Sequence, residues 1–220
     1  MSTARSAYEA AREEGELALK RAFLAAAERL LLAEGPAALT VRRIAAEVGC
    51  STKVVYTTFG GKDGLSETLY LEGFGRLRRR LMRVPADGSA VERLRGLAVA
   101  YRDAALADPG YYRVMFQGAL PGFVPRPEAR ARARSNFEIV IRTIAAGVAS
   151  GELGPLDPER AAEVLWAGGH GVVSLELSGY LEPEQAADRY HAVLEALLAT
   201  LVRGPQALCL ERSAPARGPG

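Results

Sequence analysis

The stretch that decides the fold is LTVRRIAAEVGCSTKVVYTTFGGKDGL, which covers residues 39–65. Its first half has apolar residues at helical spacing, and Gly49 ends the pattern after little more than two turns. A second short pattern follows, in which Val55 and Phe59 lie one turn apart, and two glycines end it. Two short helices joined by a tight turn with glycine at the bend are typical of a helix-turn-helix.

Helices are also predicted on both sides of this stretch. Apolar residues at helical spacing favour a helix over Leu17–Glu34, and Gly35-Pro36 would stop it. Thr40 and Ser51 suit the N-cap positions of the second and third helices, because a hydroxyl can accept a hydrogen bond from a backbone N–H of the first turn. A fourth, longer helix is expected from about Asp63 to Arg83.

The rest of the chain also shows helical periods, and several of its helices would open on proline, which suits the first turn. The predicted helices are Ser89–Leu106, Pro109–Phe116, Pro127–Ala149, Pro158–Leu177 and Pro183–Val202. No stretch alternates with period two over the length of a strand, so we expect an all-α fold. It would combine an N-terminal three-helix helix-turn-helix domain with a C-terminal helical domain.

These patterns predict four segments along the chain. They are a flexible N-terminal extension (1–16), a helix-turn-helix domain (17–62), a C-terminal helical domain (63–203) that begins with a linking helix (63–83), and a disordered tail (204–220). The extension is polar and charged, and the tail is rich in glycine and proline, so neither offers a long apolar stripe to pack.

Composition excludes several classes of protein. The chain has 49% hydrophobic and 25% charged residues, as ordinary globular proteins do. No apolar run approaches the ~18 residues that cross a bilayer. The acidic N-terminus lacks the apolar core of a secretory signal, so we expect a cytoplasmic protein with no membrane partner. Cys50 and Cys209 lie outside any Cys/His cluster, which favours free thiols and predicts neither a metal site nor a cofactor.

Catalysis is not indicated either. The two histidines are isolated, and the sequence has no HExxH, no glycine-rich phosphate loop and no GxSxG elbow, so we expect no enzyme. The net charge of +2 is too small to indicate a nucleic-acid partner through a global field. A DNA-binding surface would therefore depend on where donors and charges are placed locally.

The third predicted helix has the local character that a DNA-reading helix needs. Its sequence, STKVVYTTF (51–59), contains hydroxyls and one ammonium but no acid. Such groups can donate to phosphates and to base edges in the major groove without repelling the phosphate backbone. With Val55 and Phe59 placed inward, the side chains left for this purpose include Thr52, Lys53, Tyr56, Thr57 and Thr58. The alternative is a three-helix motif that serves only as a packing unit.

Residues 39–65 resemble the DNA-binding domain of the TetR family of bacterial regulators. The family pattern is LT-x-x-x-IA-x-x-x-GVS, then a recognition helix ending in Y-x-x-F, then K-(D/E)-x-L at the start of the fourth helix. The matching positions are Leu39, Thr40, Ile44, Ala45, Gly49, Ser51, Tyr56, Phe59, Lys62 and Leu65. Cys50 replaces the usual valine, a tolerable change because a free thiol packs like a small hydrophobe.

This resemblance implies roles for individual residues. Thr40 and Arg42 would meet backbone phosphate at the start of the second helix. Three residues at the start of the third helix would face base edges: Thr52, Lys53 and Val54. Tyr56 would hydrogen-bond a phosphate and Lys62 would neutralise another, while Lys53 would reach either a guanine or a phosphate. Thr58 stands where the family commonly has histidine or another large polar residue, so a phosphate contact is less expected there.

A second resemblance covers LWAGGHGVVSLELSGYL (165–181), which is similar to a TetR C-terminal subtype with a Trp-x-x-x-His-Gly motif. Trp166, His170 and Gly171 match that motif, and the segment DPGYYRVMF (108–116) fits it as well. Trp166 and His170 lie at i, i+4 on one helical face, so the two rings point the same way. They would either line a ligand pocket or form part of the core.

A pocket there would be mostly apolar and aromatic, and its ligand would be a hydrophobic or aromatic small molecule oriented by one or two polar groups. The residues predicted to line it are Tyr101, Tyr112, Met115, Phe116, Phe137, Trp166 and His170. Gly168, Gly169 and Gly171 each cost a helix interior about 1 kcal/mol relative to alanine. We therefore expect either the close approach of another helix or a space left for a ligand.

The last two predicted helices (158–177 and 183–202) are apolar over more than one inward face, which favours a second partner. On the final helix the apolar face consists of Ala187, Tyr190, Val193, Leu194, Leu197, Leu198 and Leu201. The family resemblance implies that the two helices form an intersubunit four-helix bundle in a twofold-symmetric homodimer. The alternative is burial of the same face within one subunit.

The patterns and the resemblance together predict a dimeric transcriptional repressor. It would bind a palindromic operator in double-stranded DNA and would be released by a small hydrophobic or aromatic effector. The alternative is a ligand-independent dimeric DNA-binding protein whose C-terminal domain only dimerises.

Overall fold

The computed structural model describes residues 6–204, and this part of the chain is helical and contains no strand. The helices are α1 (Ala7–Glu34), α2 (Val41–Val48), α3 (Thr52–Phe59), α4 (Lys62–Leu81), α5 (Ala90–Ala107), α6 (Pro109–Phe116), α7 (Pro127–Arg134), α8 (Phe137–Ser150), α9 (Pro158–Leu177) and α10 (Pro183–Arg203). The predicted all-α fold class is confirmed. Residues 1–5, Cys209 and all but the first residue of the predicted tail lie outside the described residues.

The first helix begins at Ala7, ten residues before the predicted start. Ser6 and Glu9 form a capping box: the Ser6 hydroxyl accepts from the Glu9 N–H at 3.2 Å, and the Glu9 carboxylate accepts from the Ser6 N–H at 3.0 Å. The segment 6–16 is exposed throughout, so it adds helix without adding core. Periodicity of apolar residues misses such a helix, although the spacing of Ser6 and Glu9 in the sequence indicates it.

The helix predicted over residues 127–149 is in fact two helices. A turn at Ser135-Asn136 separates α7 from α8, and Asn136 is buried. Serine and asparagine favour such breaks because their side chains compete for backbone hydrogen bonds. The apolar pattern continues through the turn, so periodicity alone cannot reveal it.

The described helices form two compact units. The first unit runs to Arg79 and continues over Ala104–Arg134, so it holds α1–α4, α6 and α7. The second unit covers Arg80–Asp103 and resumes at Ser135, so it holds most of α5 with α8, α9 and α10. The break at Ser135 coincides with the passage from one unit to the other. The first unit therefore groups α4, α6 and α7 with the helix-turn-helix, whereas the sequence pattern assigned them to the C-terminal domain.

An ion cluster joins three helices of the first unit. Arg76 of α4 donates two hydrogen bonds to Glu28 of α1, at 2.7 and 2.8 Å, and one to Asp108 at the N-cap of α6, at 3.1 Å. It also pairs with Glu72 one turn away and lies over the ring of Tyr111, 4.4 Å from the ring centre. The hydrogen bonds from Arg76 lower the pKa of Glu28. Bidentate pairing of this kind fixes orientation, so α1 and α4 are held in register.

Candidate nucleic-acid interface

The turn between α2 and α3 is built by backbone hydrogen bonds around Gly49. Gly49 has left-handed φ and ψ values of 77° and 31°, which glycine adopts without the steric cost that a side chain brings. Its N–H donates to Ala46 O at 3.1 Å, and the Cys50 N–H donates to Ala45 O at 2.9 Å. This pair of bonds is a Schellman motif, which closes α2 and redirects the chain into α3.

Two residues anchor α3 in the core of the first unit. Val55 is fully buried. Phe59 is half-buried, and its ring meets the fully buried ring of Phe23 from α1 edge to face, with 5.2 Å between the ring centres. Such aromatic pairs contribute about 0.5–1.5 kcal/mol beyond their buried area. Val55 and Phe59 therefore both face inward, as predicted.

Some of the α3 residues that were predicted to contact bases or phosphates lie on the exposed side of the helix. Thr52, Lys53 and Tyr56 are exposed, and Tyr56 has 58% of its surface accessible. Val54 is only half exposed and packs partly on the core. Gly61 lies under the Tyr56 ring, where an added Cβ would come within 3.1 Å of it. The absence of a side chain at Gly61 therefore leaves room for the Tyr56 ring.

Two threonines of α3 are less available than the sequence suggests. The Thr57 hydroxyl is exposed but donates back to the carbonyls of Lys53 and Val54, at 3.2 and 3.0 Å. It can therefore accept from a ligand but has already used its proton. Thr58 is half-buried. Ser51 stands at the N-cap of α3, but its side chain makes no capping hydrogen bond, so the expected cap is absent.

The start of α2 presents a hydroxyl and a guanidinium. Thr40 caps the helix, because its hydroxyl accepts from the Arg43 N–H at 3.2 Å. Arg42 is exposed at the first turn, and Arg43 beside it pairs with Glu34. The N-terminus of a helix offers unpaired N–H groups and a positive dipole end, both of which favour a phosphate. Thr40 can cap the helix and lie beside a phosphate at the same time.

Lys62, at the first position of α4, makes a contact that the sequence did not indicate. Its Nζ donates to the carbonyl of Pro121, in the loop between α6 and α7, at 2.9 Å. Lys62 itself is exposed. A carbonyl from a residue 59 positions away carries no sequence signal, since every residue has one.

The residues predicted to line a pocket form two clusters, one in each unit. In the second unit Tyr101 O–H lies 2.9 Å from Nδ1 of His170, and the rings of Trp166 and His170 are 5.2 Å apart. Phe137 meets Trp166 edge to face at 6.2 Å. Burial lowers the pKa of His170, which favours the neutral ring. Trp166 is 42% exposed, so it is not the core tryptophan of the alternative interpretation.

The cluster in the first unit continues into residues that the sequence interpretation passed over. Tyr112 is fully buried and meets Phe116 at 5.2 Å, and Phe116 meets Phe74 of α4 at 5.4 Å. Met115 covers Gly73 of α4, where an added Cβ would lie 2.8 Å from its sulfur. Phe74 was missed because α4 had been interpreted only as a linking helix.

The glycines of α9 are explained by its packing against α10. A Cβ at Gly168 would lie 2.6 Å from Leu197, and one at Gly169 would lie 3.2 Å from the Tyr190 hydroxyl. These two glycines let the helices approach closely, which was one of the two expected compensations. Gly171 faces open space, with nothing within 4 Å of the position of a Cβ, and it is exposed.

The apolar face of α10 is used inside the second unit. Its seven predicted interface residues are all buried or half-buried within the chain: Ala187, Tyr190, Val193, Leu194, Leu197, Leu198 and Leu201. Four of them are buried within the single chain, and Ala187, Val193 and Leu197 keep part of their surface exposed. The face also makes contacts inside the unit, such as the hydrogen bond that the Tyr190 hydroxyl donates to Ala98 O at 2.6 Å.

Two family models match two separate segments of this chain. Residues 23–69 match the model described as bacterial regulatory proteins of the tetR family, and residues 94–201 match the tetracyclin repressor-like C-terminal domain. Among curated proteins, the helix-turn-helix-type transcriptional regulator Rv1816 of Mycobacterium tuberculosis is 24% identical over 189 residues, covering 73% of this chain and 81% of that protein. The matched segments include the whole of α2 and α3.

Solved structures show the same fold. A protein of unknown function from Rhodococcus sp. RHA1 superimposes with a TM-score of 0.74 and 28% identity, covering 84% of this chain and 95% of the other. The TetR family regulator PfmR of Thermus thermophilus gives a TM-score of 0.63 and 20% identity, covering 81% and 98%. At that identity the second likeness concerns the fold alone. No helix in residues 6–204 is both long and apolar enough to span a membrane.

Proposed function

Because this chain belongs to the TetR family of bacterial regulatory proteins, we propose that it is a cytoplasmic, dimeric transcriptional repressor of a near-palindromic operator. The DNA-binding part rests on one observation above all. Thr52, Lys53 and Tyr56 lie on an exposed side of α3, and α3 contains no acidic residue. Donors without neighbouring carboxylates suit both phosphate oxygens and base edges.

A twofold dimer would present two copies of α3 to successive major-groove faces, about 34–36 Å apart along the duplex. The Val55 and Phe59 anchors fix α3 on the core, which leaves its polar side to enter the groove. Thr40, Arg42, Tyr56 and Lys62 would contact the flanking phosphates, while Thr52, Lys53 and Val54 would face bases. Thr57 and Thr58 would contribute less to DNA binding. The Thr57 hydroxyl proton is used within the helix, and Thr58 is half-buried.

The proposed dimer uses the exposed sides of α9 and α10. On α9 small and apolar residues at helical spacing are exposed: Ala167, Gly171 and Leu175. On α10 three alanines form a similar exposed stripe: Ala192, Ala196 and Ala199. Small residues allow two helices to approach closely, so these stripes suit a four-helix bundle with a second copy of the chain.

Sedimentation velocity tests this dimer. Ala199→Arg places a long charged side chain on the α10 stripe and should convert the dimer to monomer, because two copies of the charge would meet near the twofold axis. Ala146→Arg, on an exposed position of α8, is the matched control and should leave the dimer intact. A dimer that survives Ala199→Arg would exclude this surface.

The effector proposal rests on the two aromatic clusters. The Tyr101–His170–Trp166–Phe137 cluster offers aromatic faces and a neutral polar pair, which suits a hydrophobic ligand that carries one hydrogen-bonding group. It also contains the Trp-x-x-x-His-Gly motif, so we assign the chain to that C-terminal subtype. A ligand acting at Tyr112 and Phe116 would reach α4 directly through Phe74.

A ligand can release DNA only if its affinity differs between two states of the protein. Moving the equilibrium from 1:99 to 99:1 requires a difference of about 5.5 kcal/mol. The competing proposal is a ligand-independent DNA-binding protein whose second unit only dimerises. Thermal shift against a library of hydrophobic compounds separates the two, because a true effector raises the melting temperature in proportion to the logarithm of its concentration.

Selection of bound sequences from random DNA, followed by affinity measurement across a salt series, tests the DNA-binding proposal. Tyr56→Phe and Lys62→Ala should each weaken binding to the selected duplex while circular dichroism remains unchanged. Lys62→Ala should also reduce the salt slope by about 1, because one phosphate contact is lost. Unchanged affinity in both variants would contradict the assigned contacts, and failure to select any sequence would contradict the function.

A further inference from the structure

The loop between α6 and α7 (residues 117–126, the α6–α7 loop) contacts the first half of α4 at three places. Pro121 O accepts from Lys62 Nζ at 2.9 Å. The Phe123 ring lies 5.9 Å from that of Tyr70. At the end of the loop, Arg126 Nε donates to Glu67 Oε2 at 2.7 Å, and a second guanidinium N–H donates to the other carboxylate oxygen. All of these residues belong to the first unit.

In this ion pair the α4 residue, Glu67, is the more buried partner. The Glu67 side chain is only 13% exposed, whereas that of Arg126 is 71% exposed. The Arg126 hydrogen bonds lower the pKa of Glu67, so the carboxylate stays charged at neutral pH. Two parallel hydrogen bonds from a planar guanidinium also restrict its orientation. The contact therefore anchors the end of the loop to α4, five residues after Lys62.

The hydrogen bond to the Pro121 carbonyl would affect how the Lys62 ammonium binds a DNA phosphate. A lysine ammonium has three donors, and the carbonyl takes one of them. The other two remain for a phosphate oxygen, and the full positive charge is retained. A lysine whose side chain is already restrained loses less conformational entropy when it binds, so the same contact gives a higher affinity.

We propose that Arg126 is a positioning residue for DNA binding: its pair with Glu67 holds the α6–α7 loop against α4, and the Pro121 carbonyl then orients the Lys62 ammonium toward a backbone phosphate. Arg126 acts through Lys62 and does not itself meet DNA. Its Nε and a second N–H are directed at Glu67. This inference rests on the proposed function, since it assumes that Lys62 contacts a phosphate.

Two substitutions with opposite effects on net charge test it. Arg126→Ala removes a positive charge and Glu67→Gln removes a negative one, yet both release the loop. Each should weaken binding to the duplex that the wild-type chain selects from random DNA by about two- to fivefold, the range expected when at least one partner of an ion pair is exposed. The salt slope should stay at the wild-type value, because no phosphate contact is removed. The control for charge is Arg142→Ala, at an exposed arginine of α8, which should leave both the affinity and the salt slope unchanged.

The same two substitutions in a Lys62→Ala background complete the test. Neither should weaken binding further there, because the residue through which they act is gone. The inference is overturned if Glu67→Gln tightens binding, since a charge effect alone would do that. It is also overturned if Arg126→Ala lowers the salt slope, or if either effect persists without Lys62. A wild-type chain that selects no DNA would instead remove the proposed function itself.

Discussion

Helices α3 and α10 were both assigned an intermolecular surface from their sequences, and the structure treats them differently. On α3 the polar residues Thr52, Lys53 and Tyr56 are exposed, as expected. On α10 the broad apolar face is occupied by the chain's own second unit, and Leu198 in its middle is 1% exposed. The exposed stripe of α10 is made of alanines, which the sequence interpretation had not singled out.

This contrast shows which kinds of surface can be predicted from a sequence. Burying the ammonium of Lys53 would leave a charged donor without a partner, so its exposure follows from the residue type. A threonine hydroxyl can instead donate to a carbonyl of its own helix, as Thr57 does. Apolar residues satisfy both a core and an interface, so a broad apolar face does not distinguish them. We therefore expect substitutions on the two helices to have different effects. Those on the buried face of α10 should lower the free energy of unfolding, and those on the exposed side of α3 should weaken DNA binding.

The largest expected effect is on the buried face of α10. Leu198→Ala should lower the free energy of unfolding by about 2–5 kcal/mol, because it removes buried methyl groups and leaves a cavity. Val202→Ala, on the same helix but 48% exposed, should change it by no more than about 0.5 kcal/mol at a protein concentration where the chain is monomeric. Urea denaturation measures both. Equal losses in the two variants would contradict the division of α10 into a core side and an exposed side.

A smaller effect separates the two caps of the helix-turn-helix. Thr40→Ala should lower the free energy of unfolding by about 1 kcal/mol, because the hydroxyl accepts from the Arg43 N–H. Ser51→Ala should lower it by much less, since the Ser51 side chain makes no capping bond. Thr40→Ser keeps the acceptor and serves as the control. A larger loss at Ser51 than at Thr40 would show that the caps are assigned the wrong way round.

The smallest effect concerns His170. Burial lowers its pKa in the folded chain below the ordinary value of 6.5, so the unfolded chain binds the proton more readily. Stability should therefore decrease as the pH falls through about 6.5, and His170→Phe should flatten that part of the profile. Unfolding midpoints at pH 7.5, 6.5 and 5.5 would measure it. A wild-type profile that rises on acidification would contradict the burial of a neutral ring.

Most of the fold could be predicted from periodicity and from helix-stopping residues. Gly49 and the prolines that open α6, α9 and α10 place helix ends correctly. The turn at Ser135-Asn136 and the early start of α1 at Ala7 could not be found in this way. The start of α1 depends on the hydrogen bonds between Ser6 and Glu9, which leave no trace in the spacing of apolar residues. At Ser135-Asn136 the apolar spacing continues through the turn.

The candidate site could be predicted only where its residues act alone. The exposure of Lys53 and Tyr56 could be predicted from their residue types and their positions on the helix alone. The contact of Lys62 with the Pro121 carbonyl and the pairing of Arg126 with Glu67 join residues 59 positions apart, so they depend on how the helices pack. The two aromatic clusters were foreseen as one set of residues, whereas the division of the chain places them in separate units.

Photocrosslinking tests the central claim, that α3 and not α10 meets DNA. A photoreactive amino acid would replace Lys53 in one variant and Val202 in another, both exposed in the folded chain. We expect the first variant to crosslink to a duplex selected by the wild-type chain, and an excess of the same unlabelled duplex to abolish the product. The second variant should give none. Absence of a crosslink from position 53, or equal yields from both positions, would contradict DNA recognition through this helix.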